Sequence, residues 1–252
     1  FSQFTEPWDQ LKEEWIRLFS TLQSERVEPT YGGFGGSLAL GGPVNLGNMT
    51  LMDVQSTAGR YWRAVVYDTY DGKGWTISET DDLILDPGES PGQLLEYEGR
   101  RVITQTFTLY MPGTTQLYGL SQPQRFSLPT KSSVIPVNQD GKEAIDTFAQ
   151  VDNRYKLDNG ESYMVISSIP LAEESAMRLA GTDYPEWVDR YLQLPEELPQ
   201  RVRDLAQEVT SEYDNAYDKT AALERFLRQY EYNEKIAEPP SGVDRVDYFL
   251  FD

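Results

Sequence analysis

The sequence predicts an α+β fold: an N-terminal helix, an antiparallel β-sandwich-like middle and a C-terminal helical segment. Three observations carry this. Between residues 49 and 170, short aromatic and β-branched runs recur between turn residues. Beyond Pro170 the apolar spacing changes from two residues to three and four. The composition, 39 % hydrophobic with 12 % aromatic residues, is that of a packed chain. The 252 residues divide into 1–28, 29–170 and 171–252.

In the first segment Trp8, Leu11, Trp15, Leu18, Phe19 and Leu22 fall on one helical stripe, with Lys12, Glu13, Glu14 and Arg17 between them. Thr5 is placed to cap this helix, and Pro7 is tolerated in its first turn. Two Trp on one stripe read first as packing against a domain, with a juxtamembrane connector as the second possibility. Glycines crowd residues 29–47, but no Lys-Ser/Thr pair and no following helix accompany them, so the stretch reads as irregular loop and not as a phosphate cradle.

The β region begins with 61–67, aromatic and β-branched on both faces, which predicts a well-covered strand. Asp71-Gly72-Lys73-Gly74 turns the chain into Trp75-Thr76-Ile77, a hairpin signal. In 101–111, Ile103, Phe107, Leu109 and Met111 alternate with Thr104, Thr106 and Thr108. Further strands are predicted over 133–138, 145–151 and 163–169, with turns at Asp140-Gly141 and Asp158-Asn159-Gly160.

The helical part opens with 171–180, closed by Gly181, and 184–192, bounded by Pro195. Leu198, Val202, Leu205, Ala206 and Val209 form one stripe, and Leu223, Phe226, Leu227 and Tyr230 another, with Asp214 or Asn215 at the break. In the last segment Asp244 is an acidic N-cap, with Asp247 in the first turn. So short a helix needs a partner surface.

The chain contains neither cysteine nor histidine, which removes thiol, Ser-His-Asp and zinc hydrolytic chemistry from these residues acting alone. A net charge of −19, from 22 basic and 41 acidic residues, with no basic patch, argues against nucleic acid as a partner. A carboxylate pair of glycosidase type has no signature in the spacing. Asp68, Asp71, Asp81 and Asp82 do not follow the calcium-loop pattern, and Asp71-Gly72 reads as a turn. Tyr61, Trp62, Tyr67 and Trp75 have the rings of a sugar-stacking platform, but strand spacing reads them first as core. No window approaches the ~20 apolar residues of a membrane span. Asn48-Met49-Thr50 fits the glycosylation sequon.

Three stretches resemble a known family. They are Val44-Asn45-Leu46-Gly47 running into Met52-Asp53-Val54; Tyr61-Trp62-Arg63 through Tyr67-Asp68-Thr69-Tyr70-Asp71-Gly72-Lys73-Gly74-Trp75; and Tyr191-Leu192-Gln193-Leu194-Pro195 followed by helices and Gly242-Val243-Asp244-Arg245-Val246-Asp247-Tyr248-Phe249-Leu250-Phe251. This is similar to the extracytoplasmic part of bacterial transglutaminase-like membrane proteins. The resemblance implies a membrane segment upstream, a β domain, and residues 171–252 as the helical start of a papain-like core. In that family a Gly-Tyr-Cys motif follows the Asp-Tyr-Phe-Leu element, with the triad's His and Asp further on. No position here matches these, so no catalytic, cofactor-binding or metal residue is assigned.

The implied function is that of a non-catalytic fragment of a protein performing thiol-dependent acyl transfer or amide hydrolysis at the cell surface. The alternative is a β-sandwich module that binds glycan or peptide without chemistry. The expected partners are the upstream membrane segment, the downstream catalytic core and a protein or cell-wall substrate. Self-association through Val246, Tyr248, Phe249 and Phe251 is a further expectation.

Overall fold

The structure, a computed structural model, describes residues 37–39, 50–59, 61–111, 113–233 and 236–252. The N-terminal helix read at 8–22, and most of the glycine-rich stretch, lie outside them. Ten strands are described: β1 (Ser37–Ala39), β2 (Met52–Ser56), β3 (Thr69–Tyr70), β4 (Gly74–Thr76), β5 (Asp81–Leu85), β6 (Arg100–Leu109), β7 (Pro123–Phe126), β8 (Thr130–Gln139), β9 (Lys142–Asn153) and β10 (Glu161–Pro170). They form three antiparallel sheets, ordered β1-β4-β3, β2-β6-β10-β7 and β5-β8-β9.

Alternation explains how two of these sheets share a core. Phe107 and Leu109 of β6, Phe126 of β7 and Tyr163 and Val165 of β10 meet Leu85 of β5, Val134 of β8 and Phe148 and Val151 of β9 in one cluster. Phe107 and Tyr163 are register partners, and their rings stack at 5.3 Å. The β8–β9 hairpin turns at Asp140 (φ 54°) and Gly141 (φ 78°), the positive pair that a tight two-residue turn demands. The pairing shifts register next to Pro136, which has no N–H to give the ladder.

After β10 come α1 (Glu174–Leu179), a 3₁₀ turn (Glu186–Val188), α2 (Asp189–Leu192), α3 (Gln200–Thr210), α4 (Ala216–Leu227) and α5 (Arg245–Phe251). Asn215 caps α4, accepting from the Asp218 N–H at 2.9 Å, and Asp244 caps α5. Arg178 of α1 bonds Asp218 of α4 at 2.9 Å and lies over the Tyr217 ring. This layer buries little: Leu192, Leu194, Leu227, Phe249 and Phe251 keep large exposed surfaces.

Three readings need correction. Residues 61–67 form no strand but touch two neighbours through single bridges, Arg63 with Gly119 and Val65 with Gln150. Two-sided apolar character there reflects burial between elements, not sheet pairing. Within the glycine-rich stretch, residues 37–39 are a strand paired to β4, with Leu38 opposite Trp75. The segment at 184–192 is a 3₁₀ turn followed by a single helical turn, because Pro185 and Pro195 leave no room for more.

Candidate functional site

The β3–β4 hairpin is built by its own sequence. Asp71 Oδ1 accepts from the N–H groups of Lys73 and Gly74, both at 2.9 Å, and this holds its carboxyl below the usual carboxylate range. Gly72 takes φ 81° at the tip. The hairpin read from the sequence is borne out here, and Asp71 serves the turn.

Before the turn, alternate side chains point inward. Alternation places Asp68 on the face of Tyr70, and both are buried. The Asp68 carboxylate accepts from Ser78 N (2.9 Å), Ser78 Oγ (2.5 Å) and Thr69 Oγ1 (3.0 Å), and lies 3.5 Å from Arg190 Nε of α2. Arg190 also donates to the Pro136 carbonyl of β8 at 3.1 Å. Both oxygens of the buried Asp68 side chain thus have partners, and α2 is tied to the β3–β4 hairpin and to β8.

The same hairpin receives α5. The Tyr70 hydroxyl donates to both oxygens of Asp244, each at 3.1 Å, while Asp244 Oδ1 accepts from the Val246 and Asp247 N–H groups at 3.0 and 2.9 Å. Burial first, and the Asp244 charge after it, push the Tyr70 phenol up to about 12. The Arg245 N–H donates to the Gly72 carbonyl at 2.8 Å. A Cβ on Gly72 would stand 3.1 Å from Asp244 Oδ2, so this glycine is needed for close approach as well as for its φ. Asp247, 5 % exposed, then accepts a bidentate pair from Arg201 of α3 at 2.5 and 2.6 Å. The Phe251 ring covers that guanidinium at 4.4 Å.

A third contact completes the junction. Asp146 of β9 accepts from the hydroxyls of Tyr97 and of Tyr191 on α2, each at 2.5 Å. Burial, reinforced by the Asp146 charge, raises both phenols. The structure therefore brings the second and third resemblance stretches together: Tyr70 and Gly72 touch Asp244 and Arg245, and Tyr191 reaches the sheet. The first stretch lies elsewhere, its residues 52–54 pairing in β2 with β6.

The other residues weighed from the sequence do not converge. Asp81 and Asp82 lie on β5, where Asp82 is 3.6 Å from Lys131. Trp62 packs edge-on against Phe107 at 5.4 Å, and Trp75 tilts against Tyr70 at 5.4 Å. Tyr61 is exposed and Tyr67 half-buried. Of the apolar set in α5, Val246 and Tyr248 are half-buried, Phe249 packs on Tyr230 at 4.9 Å, and Phe251 lies over Arg201. No group of three or more His, Cys, Asp or Glu residues able to hold a metal occurs among the described residues. No helix among them is long and apolar enough to cross a membrane. The sequence reading missed Asp68, Asp146, Arg190 and Arg201 as junction residues. For Asp68 a signal existed: an acid on the inward face of an aromatic run has to find buried donors.

Fold and junction together define a class: an antiparallel β module with a sparsely buried helical layer seated on it through charged and phenolic contacts. The chain belongs to the TgpA N-terminal domain family, whose model matches residues 21–173. This bears out the resemblance to transglutaminase-like proteins. The chain is 27 % identical over 226 residues to the uncharacterized protein YebA of Bacillus subtilis, covering 85 % of this chain and 30 % of that protein's length. The crystal structure of the periplasmic domain of TgpA from Pseudomonas aeruginosa aligns at a TM-score of 0.51 and 20 % identity, over 87 % of this chain and 70 % of the solved one. That match establishes a shared mixed α+β fold.

Proposed function

We propose that this chain is a non-catalytic, extracytoplasmic module of a transglutaminase-like membrane protein, and that its sandwich-like β block fixes the first helices of a thiol-dependent acyltransferase core. The observation that carries the reading is the latch of Tyr70 and Gly72 on Asp244 and Arg245. It joins a hairpin to the cap of a helix 174 residues further along the chain. A seven-residue helix is marginal by itself, so its position is set by what holds its cap. In the longer protein that helix is the last element before the nucleophile, and its placement governs where the thiol stands. The fold shared with a periplasmic domain supports the extracytoplasmic location. The half-buried packing of Trp62 and Trp75 against core rings favours scaffold over a glycan platform.

A labelled-amine and glutamine-peptide assay tests this. The 252-residue polypeptide is expected to give no turnover. A longer polypeptide carrying the thiol motif is expected to turn over, with Tyr70→Phe lowering kcat more than it raises KM. Clear turnover by the present chain at equal purity contradicts the reading.

A further inference from the structure

Beside the junction, between the turn bearing Trp187 and strands β6 and β9, lies an open cavity of about 390 Å³ lined by Arg63, Arg100, Asp146, Thr147, Trp187 and Tyr191, among others. Its volume falls within the range of small-ligand pockets. The polar groups on its wall are not all used. Thr147, 5 % exposed, has a buried hydroxyl without a hydrogen-bond partner, and the buried indole N–H of Trp187 has none either. Buried donors without partners are rare in folded chains, and two on one cavity wall mark a place where an acceptor belongs.

The charges point the same way. In a chain with 41 acids and 22 bases, an arginine near the core ordinarily finds a carboxylate. Among the described residues neither Arg63 nor Arg100 forms an ion pair. Arg100 donates only to neutral oxygens of Ser121 and Ser168. Burial lowers the Arg63 guanidinium from its ordinary value, so its charge is held there at a cost that a bound anion would offset. Asp146, the acid on the wall, is already held by Tyr97 and Tyr191. Two guanidiniums against one carboxylate leave one formal positive charge, which a monoanion neutralises.

We propose that this cavity is a binding site for a small monocarboxylate, received bidentately by Arg63 with the Thr147 hydroxyl and the Trp187 indole N–H as further donors. The carboxylate belongs either to a free acid or to the end of a short peptide. Planar, two-oxygen geometry matches the guanidinium fork, and the single excess charge favours it over a phosphate dianion.

The test is a titration of the 15N-labelled chain followed by NMR at constant ionic strength. The probes are acetate, N-acetylglycine, their uncharged twins acetamide and N-acetylglycinamide, and inorganic phosphate. Acetate or N-acetylglycine is expected to shift the Trp187 indole N–H saturably, while the amide twins do not. N-acetylglycine at least about tenfold tighter than acetate assigns the site to a peptide end, and equal affinities assign it to a free acid. Arg63→Gln is expected to weaken binding at least about tenfold, and Thr147→Val several-fold. Arg63→Lys, which keeps the charge but loses the fork, is expected to fall between wild type and Arg63→Gln. No saturable shift by any carboxylate up to about 50 mM overturns the proposal. So does an equal response to the amide twins, binding of phosphate alone, or undiminished binding by a folded Arg63→Gln chain. If Arg63→Gln fails to fold, the comparison of acid with amide twin on the unaltered chain decides the matter.

Discussion

Tyr70→Phe removes one oxygen atom from the latch and nothing from the core. The ring keeps its packing against Trp75, so the loss is confined to the hydroxyl's bonds to Asp244 and the weak contact in which it accepts from Val246 N at 3.3 Å. A hydrogen bond to a charged acceptor contributes about 1.5–3 kcal/mol. Here the two 3.1 Å contacts share one proton, and Asp244 keeps both backbone donors, which puts the expected loss at about 1–2 kcal/mol. Because α5 has only seven residues, that loss appears as local opening of the helix before it appears as global unfolding. Hydrogen–deuterium exchange read by mass spectrometry is the assay. Amides 245–251 are expected to exchange roughly tenfold faster in the variant, while β8 and β9 are unchanged. Unaltered exchange in α5, or an equal acceleration across the β8–β9 hairpin, refutes the reasoning.

Four other outcomes follow from the same contacts. Gly72→Ala forces a Cβ into positive φ and to 3.1 Å from Asp244, and is expected to cost about 1–3 kcal/mol in urea unfolding, with α5 again the first element to open. Arg201→Gln strands the buried Asp247 carboxylate and is expected to lower the urea midpoint more than Asp247→Asn, which leaves an Arg201 that is 50 % exposed and free to rehydrate. Phe107→Ala opens the core between stacked Tyr163 and edge-on Trp62, with an expected loss of about 3–5 kcal/mol at an unchanged m-value. Alkaline pH should destabilise the fold. Tyr70 is raised to about 12, and Tyr97, Tyr163 and Tyr191 are raised as well, so the folded chain retains phenol protons that the unfolded chain loses near pH 10. Their contribution is complete below about pH 10 and falls as pH rises through the folded-state values, which urea midpoints at pH 8, 10, 11 and 12 would show. A midpoint unchanged up to pH 12 contradicts this.

The parts of this architecture legible in the sequence are those that local chemistry decides. Asp71 and Gly72 announce their hairpin, Asp140-Gly141 joins two alternating runs that pair, and Asn215 and Asp244 are caps whose partners lie two or three residues away. What depends on distant partners was not legible. Strand β5, with acids at 81 and 82, carries no strong strand signal and exists because β8 offers it an edge. Residues 61–67 have strand composition but find neighbours for single bridges only. The junction is less legible still. The Asp146 carboxylate meets phenols from Tyr97 and Tyr191, 49 and 45 residues away, and neither spacing distinguishes it from any other acid in an acidic chain.

Held through the β3–β4 hairpin, α2 and α5, the helical layer is expected to move with the β module as one body. Because the chain has no cysteine, two spin labels can be placed without background, at Met164→Cys on exposed β10 and Gln207→Cys on exposed α3. Pulsed electron–electron resonance between them is expected to give one narrow distance, broadening when Tyr70→Phe and Asp244→Asn are combined. A broad or many-peaked distribution in the chain with the latch intact would mean that the layer is only tethered, and would contradict the account.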